Sequence, residues 1–315
     1  MKYFFIINPA AGKKNGYELY GEQIRNICKS KDLSGEILLT ERPGHATEIA
    51  LNLAEAAAKE NPVRIFSAGG DGTFSEVVRG VLGAKSSAGE NIELGCIPCG
   101  SGNDYIRNFG LNEGFLNIDE YITSHSVPVD AIKVGNDFAI NICSMGLDAM
   151  IAHTANQIKI KNKRMSGEKA YNKAVIKCIT GKLYNKLRVT IDKNERFDGK
   201  YIFSLAASGQ YYGSGFHAAP NASPSDGLLD FVLIKKVSHL KAITLIGKYK
   251  DGSYVNSRAF RKILIYRRGR EMTVESKREI ILNLDGECKM TGKVSFEIMP
   301  SAIRFIVPPA YPFND

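Results

Sequence analysis

The residues best placed to do chemistry lie in short glycine-rich turns. The chain reads Ala68-Gly69-Gly70-Asp71-Gly72-Thr73 between a compact apolar run at 63–68 and a stretch whose apolar residues Phe74, Val77, Val78, Val81 and Leu82 recur at helical spacing. Glycines let a backbone approach a ligand closely, and the free amides that open a helix attract anions, so this turn has the makings of a phosphate cradle. Asp71 would repel phosphate there unless a cation such as magnesium intervenes. The plainer alternative is a tight turn with Asp71 as a helix cap. A second turn, Pro98-Cys99-Gly100-Ser101-Gly102-Asn103-Asp104, supplies a hydroxyl, an amide and a carboxylate. The first apolar run ends likewise, in Asn8-Pro9-Ala10-Ala11-Gly12-Lys13. Three such loops at one sheet edge suit a nucleoside triphosphate. Neither the Walker pattern nor G-x-G-x-x-G is present.

Phosphoryl transfer to an alcohol also needs a carboxylate to take the proton as the oxygen attacks. Asp285-Gly286-Glu287, after the apolar run 280–284, fits that task. Its plain alternative is an exposed turn with two solvated acids.

The elements that must position these groups follow from periodicity. Strand-like runs at 3–7, 36–40, 63–68 and 92–97 alternate with helical stretches at 17–31, 45–59 and 74–82, which predicts a parallel α/β sheet with ligands beyond the carboxyl ends of its strands. After about residue 125 the texture changes. Runs at 127–134, 138–144, 187–191, 201–208, 228–234, 279–284 and 294–298 are strand-like, and only 168–180 and 239–247 read as helices. The expectation is an α/β domain over 1–125, with 301–315 returning to it, and a mostly antiparallel β-sandwich domain over 126–300.

In their order these motifs resemble the soluble bacterial diacylglycerol kinases and the wider diacylglycerol-, sphingosine- and ceramide-kinase superfamily. The resemblance continues through Val129-Asp130, Gly146-Leu147-Asp148-Ala149, Tyr212-Gly213-Ser214-Gly215, the stretch from Ala219 to Asp230, and Leu284-Asp285-Gly286-Glu287. It implies an ATP- and magnesium-dependent lipid kinase with its active site in the cleft between the domains. Diacylglycerol is the first substrate to expect. Asn8, Pro9, Ala11, Gly12, Lys13, Thr40, Ala68 to Thr73, Gly100, Ser101, Asn103 and Asp104 would serve the nucleotide. Asp71, Asp285 and Glu287 would be catalytic, with Asp285 or Glu287 as the base. A metal would sit at Asp226 and the Leu228 carbonyl. Ser223 stands where relatives often carry another ligand, and Ser101 where they usually have threonine. The Gly-Gly-Asp-Gly element is shared with NAD kinases, so an NAD kinase-like enzyme is the catalytic rival. A non-catalytic nucleotide- or lipid-binding regulator of the same fold is the second alternative.

Charge bears on the substrate. The formal charge is +9, from 42 basic and 33 acidic residues. Residues 157–188 carry ten Lys/Arg against Glu168 alone, and residues 258–270 carry six with no acid, so the remainder is mildly acidic. Lys169, Lys173 and Lys177 would form a stripe along a helix capped by Ser166. Both basic segments are expected to meet an anionic membrane surface, in a cytoplasmic enzyme reversibly associated with the inner face of the membrane. Aromatic interleaving of the nucleic-acid-binding kind is absent, and a homodimer is left open. No window is apolar enough to span a bilayer, and Cys96/Cys99 lack the second pair that a zinc site would want.

Overall fold

A computed structural model describes residues 1–12, 15–57, 62–84, 91–100, 102–110, 112–162 and 165–312. The chain runs β1 (Lys2–Ile7), α1 (Gly16–Ser30), β2 (Ser34–Leu39), α2 (His45–Ala57), β3 (Val63–Gly69), α3 (Asp71–Gly83), β4 (Ile92–Pro98), α4 (Asn112–Leu116), α5 (Ile118–Tyr121) and β5 (Ser126–Val134). It continues with β6 (Asp137–Ala139), β7 (Ile142–Gly146), α6 (Leu147–Lys161), α7 (Gly167–Ile179), β8 (Asn185–Ile191), β9 (Glu195–Ala207), β10 (Tyr211–Tyr212), β11 (Phe216–His217), β12 (Leu229–Lys235), α8 (His239–Lys250), β13 (Leu264–Gly269), β14 (Glu271–Leu284) and β15 (Glu287–Ile306). Two compact units result: Met1–Asp130 with Ser301–Asp315, and Ala131–Pro300. The expected division at 125 thus falls a few residues early, because it lies ahead of β5, within which the chain passes from one unit to the other.

In the first unit β1, β2, β3 and β4 pair in parallel in the order β2-β1-β3-β4, and Arg304 and Phe305 at the end of β15 add alongside β4. β3 is buried along its whole length, as a central parallel strand covered on both faces must be. Phe305 packs its ring against Phe74, Tyr105, Phe109 and Phe115, so the returning tail supplies a centrepiece of this core.

The second unit is antiparallel. β9 pairs with β12, β7 and β8, and β14 pairs with β7, β8 and β15. Strand alternation divides its core in two. Leu229, Phe231 and Leu233 of β12 face an interior made by strands, whereas Val232 and Ile234 face α6, α7 and α8. Two readings need correction. The run 138–144 is two strands, β6 and β7, with a break at Ile140–Asn141. A third long helix, α6, follows Gly146, where neither periodicity nor a polar cap announces one. Gly146 has φ +113°, and a Cβ there would lie 2.5 Å from the Ile202 carbonyl oxygen, so only glycine makes this turn.

Candidate active site

The three loops of the first unit meet at the carboxyl ends of their strands. The Asn8 N–H donates to Ala68 O (2.9 Å), and its side-chain amide donates to Thr73 Oγ1 (3.1 Å). The Ala10 N–H returns to Asn8 Oδ1 at 2.9 Å. The Cys99 N–H donates to Gly69 O at 2.8 Å, joining the second loop to the third. Thr40 reaches the same edge, its N–H donating to Ile7 O at 2.9 Å. The loops touch through glycine: a Cβ on Gly100 would sit 2.6 Å from the Gly70 Cα, so each backbone passes where a side chain would otherwise stand. Asn8, Ala68, Gly69, Gly70, Thr73 and Gly100 are thus brought together. Gly12 has φ +75°, and Pro9 and Ala11 lie within the same β1 loop. Lys13 and Ser101 lie outside the described residues.

Asp71 is not a cap. Gly70 holds the N-cap position of α3 with no side-chain hydrogen bond, and Asp71 is the first helical residue. Its Oδ1 accepts the Tyr105 N–H at 3.1 Å, tying α3 to the loop after β4. Space beside Gly72 is open. An uncapped helix start lined by glycines, with one carboxylate at its edge, is competent to hold phosphate together with a cation. Asn103 adopts φ +51°, and its side-chain amide donates to Gly100 O at 3.1 Å. Its buried Oδ1 has no hydrogen-bond partner among the described residues. Asp104 is buried and paired with Arg107 at 3.4 Å, so it braces the loop. Cys96 and Cys99 are free thiols, and burial pushes Cys99 up to about 12, which makes a redox pair a poor description of them.

In the second unit the acids of Asp285-Gly286-Glu287 separate in role. The Asp285 carboxylate accepts the backbone N–H groups of Ile140 (2.7 Å), Asn141 (3.1 Å) and Ile142 (2.9 Å). The first two of those amides belong to the break between β6 and β7, and the third opens β7. The Gly286 N–H donates to Asn283 Oδ1 (2.8 Å), and the Asn156 amide donates to Gly286 O (2.9 Å). The turn is held from three sides, and it presents Glu287 at the exposed start of β15.

Beneath α6, α7 and α8 lies an apolar cavity of about 80 Å³. Val175 and Ile179 of α7, Leu245 and Ile246 of α8, and Phe203 of β9 contribute to it. Among the described lining residues the one carboxylate is Asp148, which accepts hydrogen bonds from Tyr212 Oη and Ser144 Oγ. Tyr212 also meets Tyr249 at 3.2 Å. Burial pushes the Asp148 carboxyl up to about 6, while its two hydroxyl donors pull against that. Cys288, next to Glu287, reaches Ala149 O at 3.8 Å, and its thiol is pushed up to about 12 by burial and by the charges of Asp148 and Glu287. The polar end of the cavity and the Glu287 turn therefore adjoin. Asp148 appears among the sequence motifs without a role; nothing in its spacing reveals that it is the carboxylate in an otherwise largely apolar wall.

A diacylglycerol kinase catalytic domain model matches residues 2–134, and the YegS C-terminal NAD kinase beta sandwich-like domain model matches residues 141–307. The chain belongs to the diacylglycerol kinase-like lipid kinases. Within this family it is 27% identical to the diacylglycerol kinase of Bacillus subtilis (strain 168), over 90% of this chain and 88% of that one. It is 26% identical to a "Probable lipid kinase YegS-like" of Shewanella frigidimarina (strain NCIMB 400), over 93% and 94%. The crystal structure of a diacylglycerol kinase from Bacillus anthracis str. Sterne matches with TM-score 0.67 and 20% identity, over 99% of this chain and 98% of that one. The expected fold, an α/β domain followed by a β-sandwich domain, stands. Kinase membership implies ATP as the phosphate donor. No helix among the described residues is long and apolar enough to cross a membrane.

The metal expected at Asp226 does not fit this chain of the lipid kinase family. Asp226 Oδ1 accepts the Leu228 N–H at 3.1 Å, and Oδ2 is bound by the Arg268 guanidinium. Arg268 Nε also lies 3.4 Å from Asp230, which is fully buried. A divalent ion at this carboxylate would stand against a guanidinium already on it. Among the described residues no group of three or more His, Cys, Asp or Glu could hold a metal.

Proposed function

We propose that the protein transfers the γ-phosphate of ATP to the hydroxyl of a membrane lipid, with diacylglycerol as substrate and phosphatidic acid as product. The reading rests on the apolar cavity whose single polar end adjoins the Glu287 turn. A small polar acceptor would have no use for such walls, whereas an acyl chain buries its methylenes there at about 0.8 kcal/mol each.

Residue roles follow. The glycine loops around Asn8, Gly70 and Gly100 offer backbone amides to the phosphates, and the start of α3 favours their charge. Magnesium bound with the nucleotide would neutralise phosphate charge, and Asp71 is the carboxylate that would hold it. Glu287 takes the proton of the lipid hydroxyl as its oxygen attacks phosphorus, and ADP leaves. Asp285 keeps the turn in place and is a positioning residue. Asp148 and Tyr212 offer a hydrogen-bonding pair to the polar part of a lipid whose chain lies in the cavity.

The test is transfer of labelled phosphate from ATP to a panel of diacylglycerol, ceramide, sphingoid base, phosphatidylglycerol and a prenol in mixed micelles, and separately to NAD, with products extracted and resolved. Labelled phosphatidic acid from diacylglycerol is expected to dominate. Label in none of the lipids, or in NAD instead, overturns the proposal.

A further inference from the structure

Three ammonium groups converge on one ring. Lys236, Lys200 and Lys182 place Nζ at 4.5, 5.5 and 6.0 Å from the centroid of Tyr184. All three lysines are exposed, and none is paired with a described carboxylate. The ring face attracts cations, but three like charges over one ring still repel one another, so the cluster is best completed by an anion. The Lys236 N–H donates to Lys200 O at 2.8 Å, which fixes two of the lysines through the backbone.

The cluster stands where α7 ends and α8 begins. His239 Nε2 meets Gly181 O at 2.8 Å across that junction. Just beyond it α8 exposes Leu240 (75%) and Ile243 (53%), and α7 exposes Ile176 (68%). Residues 235–250 contain five lysines and no acid, a third basic segment that charge counting at 157–188 and 258–270 passes over. In the segment 258–270, by contrast, Arg267 is paired with Glu195 at 2.8 Å and Arg268 with Asp226 and Asp230, so part of its charge is already answered within the fold. Exposed aliphatic side chains flanked by unpaired lysines are the pattern of a helix that lies in a lipid interface. The same two helices wall the cavity: Val175 and Ala242 line it, and their chain neighbours Ile176 and Ile243 face outward.

We propose that the junction of α7 and α8 is a docking surface for an anionic phospholipid bilayer, with the Tyr184 lysine cluster taking headgroup phosphates and Leu240 and Ile243 entering the acyl boundary. The surface gives the cavity direct access to the leaflet that holds its substrate. Its purpose rests on the lipid-kinase reading, but its existence is measured without ATP.

The experiment is flotation with vesicles of phosphatidylcholine alone and of phosphatidylcholine with phosphatidylglycerol. The wild-type chain is expected to float with the anionic vesicles and to be released by salt. Replacing the lysines by Lys182→Gln, Lys200→Gln and Lys236→Gln together should weaken binding on the order of a hundredfold, at about fivefold per lysine. The pair Leu240→Ser and Ile243→Ser should weaken it about tenfold. A control triple, Arg258→Gln, Arg261→Gln and Lys262→Gln, removes equal charge elsewhere and should have little effect. Melting temperatures equal to wild type show that the variants fold. Equal binding to neutral and anionic vesicles, or equal loss in the two triples, overturns the docking surface. Phosphate transfer to a short-chain diacylglycerol in detergent should persist in every variant. A wild-type chain that floats as described but transfers nothing in that assay overturns the kinase reading and leaves the docking surface standing.

Discussion

Asp285 and Ile142 hold each other twice: the Asp285 N–H donates to Ile142 O at 3.2 Å, and the Ile142 N–H donates back to Asp285 Oδ1 at 2.9 Å. With the Ile140 and Asn141 amides on the same carboxylate, Asp285 serves the backbone, and the proposed mechanism therefore gives proton transfer to Glu287.

The two acids should therefore fail differently. Glu287→Gln is expected to lower phosphate transfer by about 10²–10⁴-fold with stability within about 0.5 kcal/mol of wild type. Asp285→Asn loses an anion that serves three N–H groups and should cost about 2–3 kcal/mol of stability along with activity. Thermal melts beside single-turnover rates check this. An Asp285→Asn chain that melts with wild type but transfers nothing reverses the assignment.

Asp71→Asn keeps an oxygen for the Tyr105 N–H but removes the charge that would hold magnesium. Transfer should fall by about 10²-fold or more while the melting temperature stays put. Full retention of turnover would refute the role given to Asp71.

Asp148 predicts a pH dependence. Its carboxyl titrates at about 6 in the folded chain against an ordinary 3.8, so between those values the folded state holds the proton that the unfolded state has lost. Stability then falls as pH rises through this window, by about 3 kcal/mol, and levels off above it. Asp148→Asn should lose that slope. Denaturant melts from about pH 4 to about pH 7 compare the two, and parallel profiles would contradict the buried, raised carboxyl.

The Asp226 turn should be indifferent to chelators. EDTA is expected to leave the wild-type melting temperature unchanged. Arg268→Met leaves the buried Asp230 without its cation, with only the Tyr266 hydroxyl beside it, and should cost about 3 kcal/mol, partly restored by millimolar magnesium now that Asp226 is vacated. A wild-type melting temperature that drops in EDTA would show that a metal, not Arg268, holds the turn.

Local pattern and distant pairing account for what could be read in advance. Alternation of apolar runs with helical spacing placed β1 to β4 and the glycine loops, because each depends on residues near in sequence. The break at Ile140–Asn141 was hidden because its cause, Asp285, lies about 145 residues away. Helix α6 was hidden because its buried positions include Asp148 and three alanines, Ala149, Ala152 and Ala155, which give a weak apolar stripe. The Arg268–Asp226 pair joins β13 to a turn before β12, and no spacing rule connects an arginine to a particular carboxylate so far along the chain.

The tail that pairs Arg304 and Phe305 with β4 has a consequence for biosynthesis. The Phe305 ring closes an aromatic cluster whose other members are made some two hundred residues earlier. A ribosome must therefore release nearly the whole polypeptide before the first unit can close, although its other strands are made first. In released chains that end at residue 300, protease should spare the second unit and cut the first.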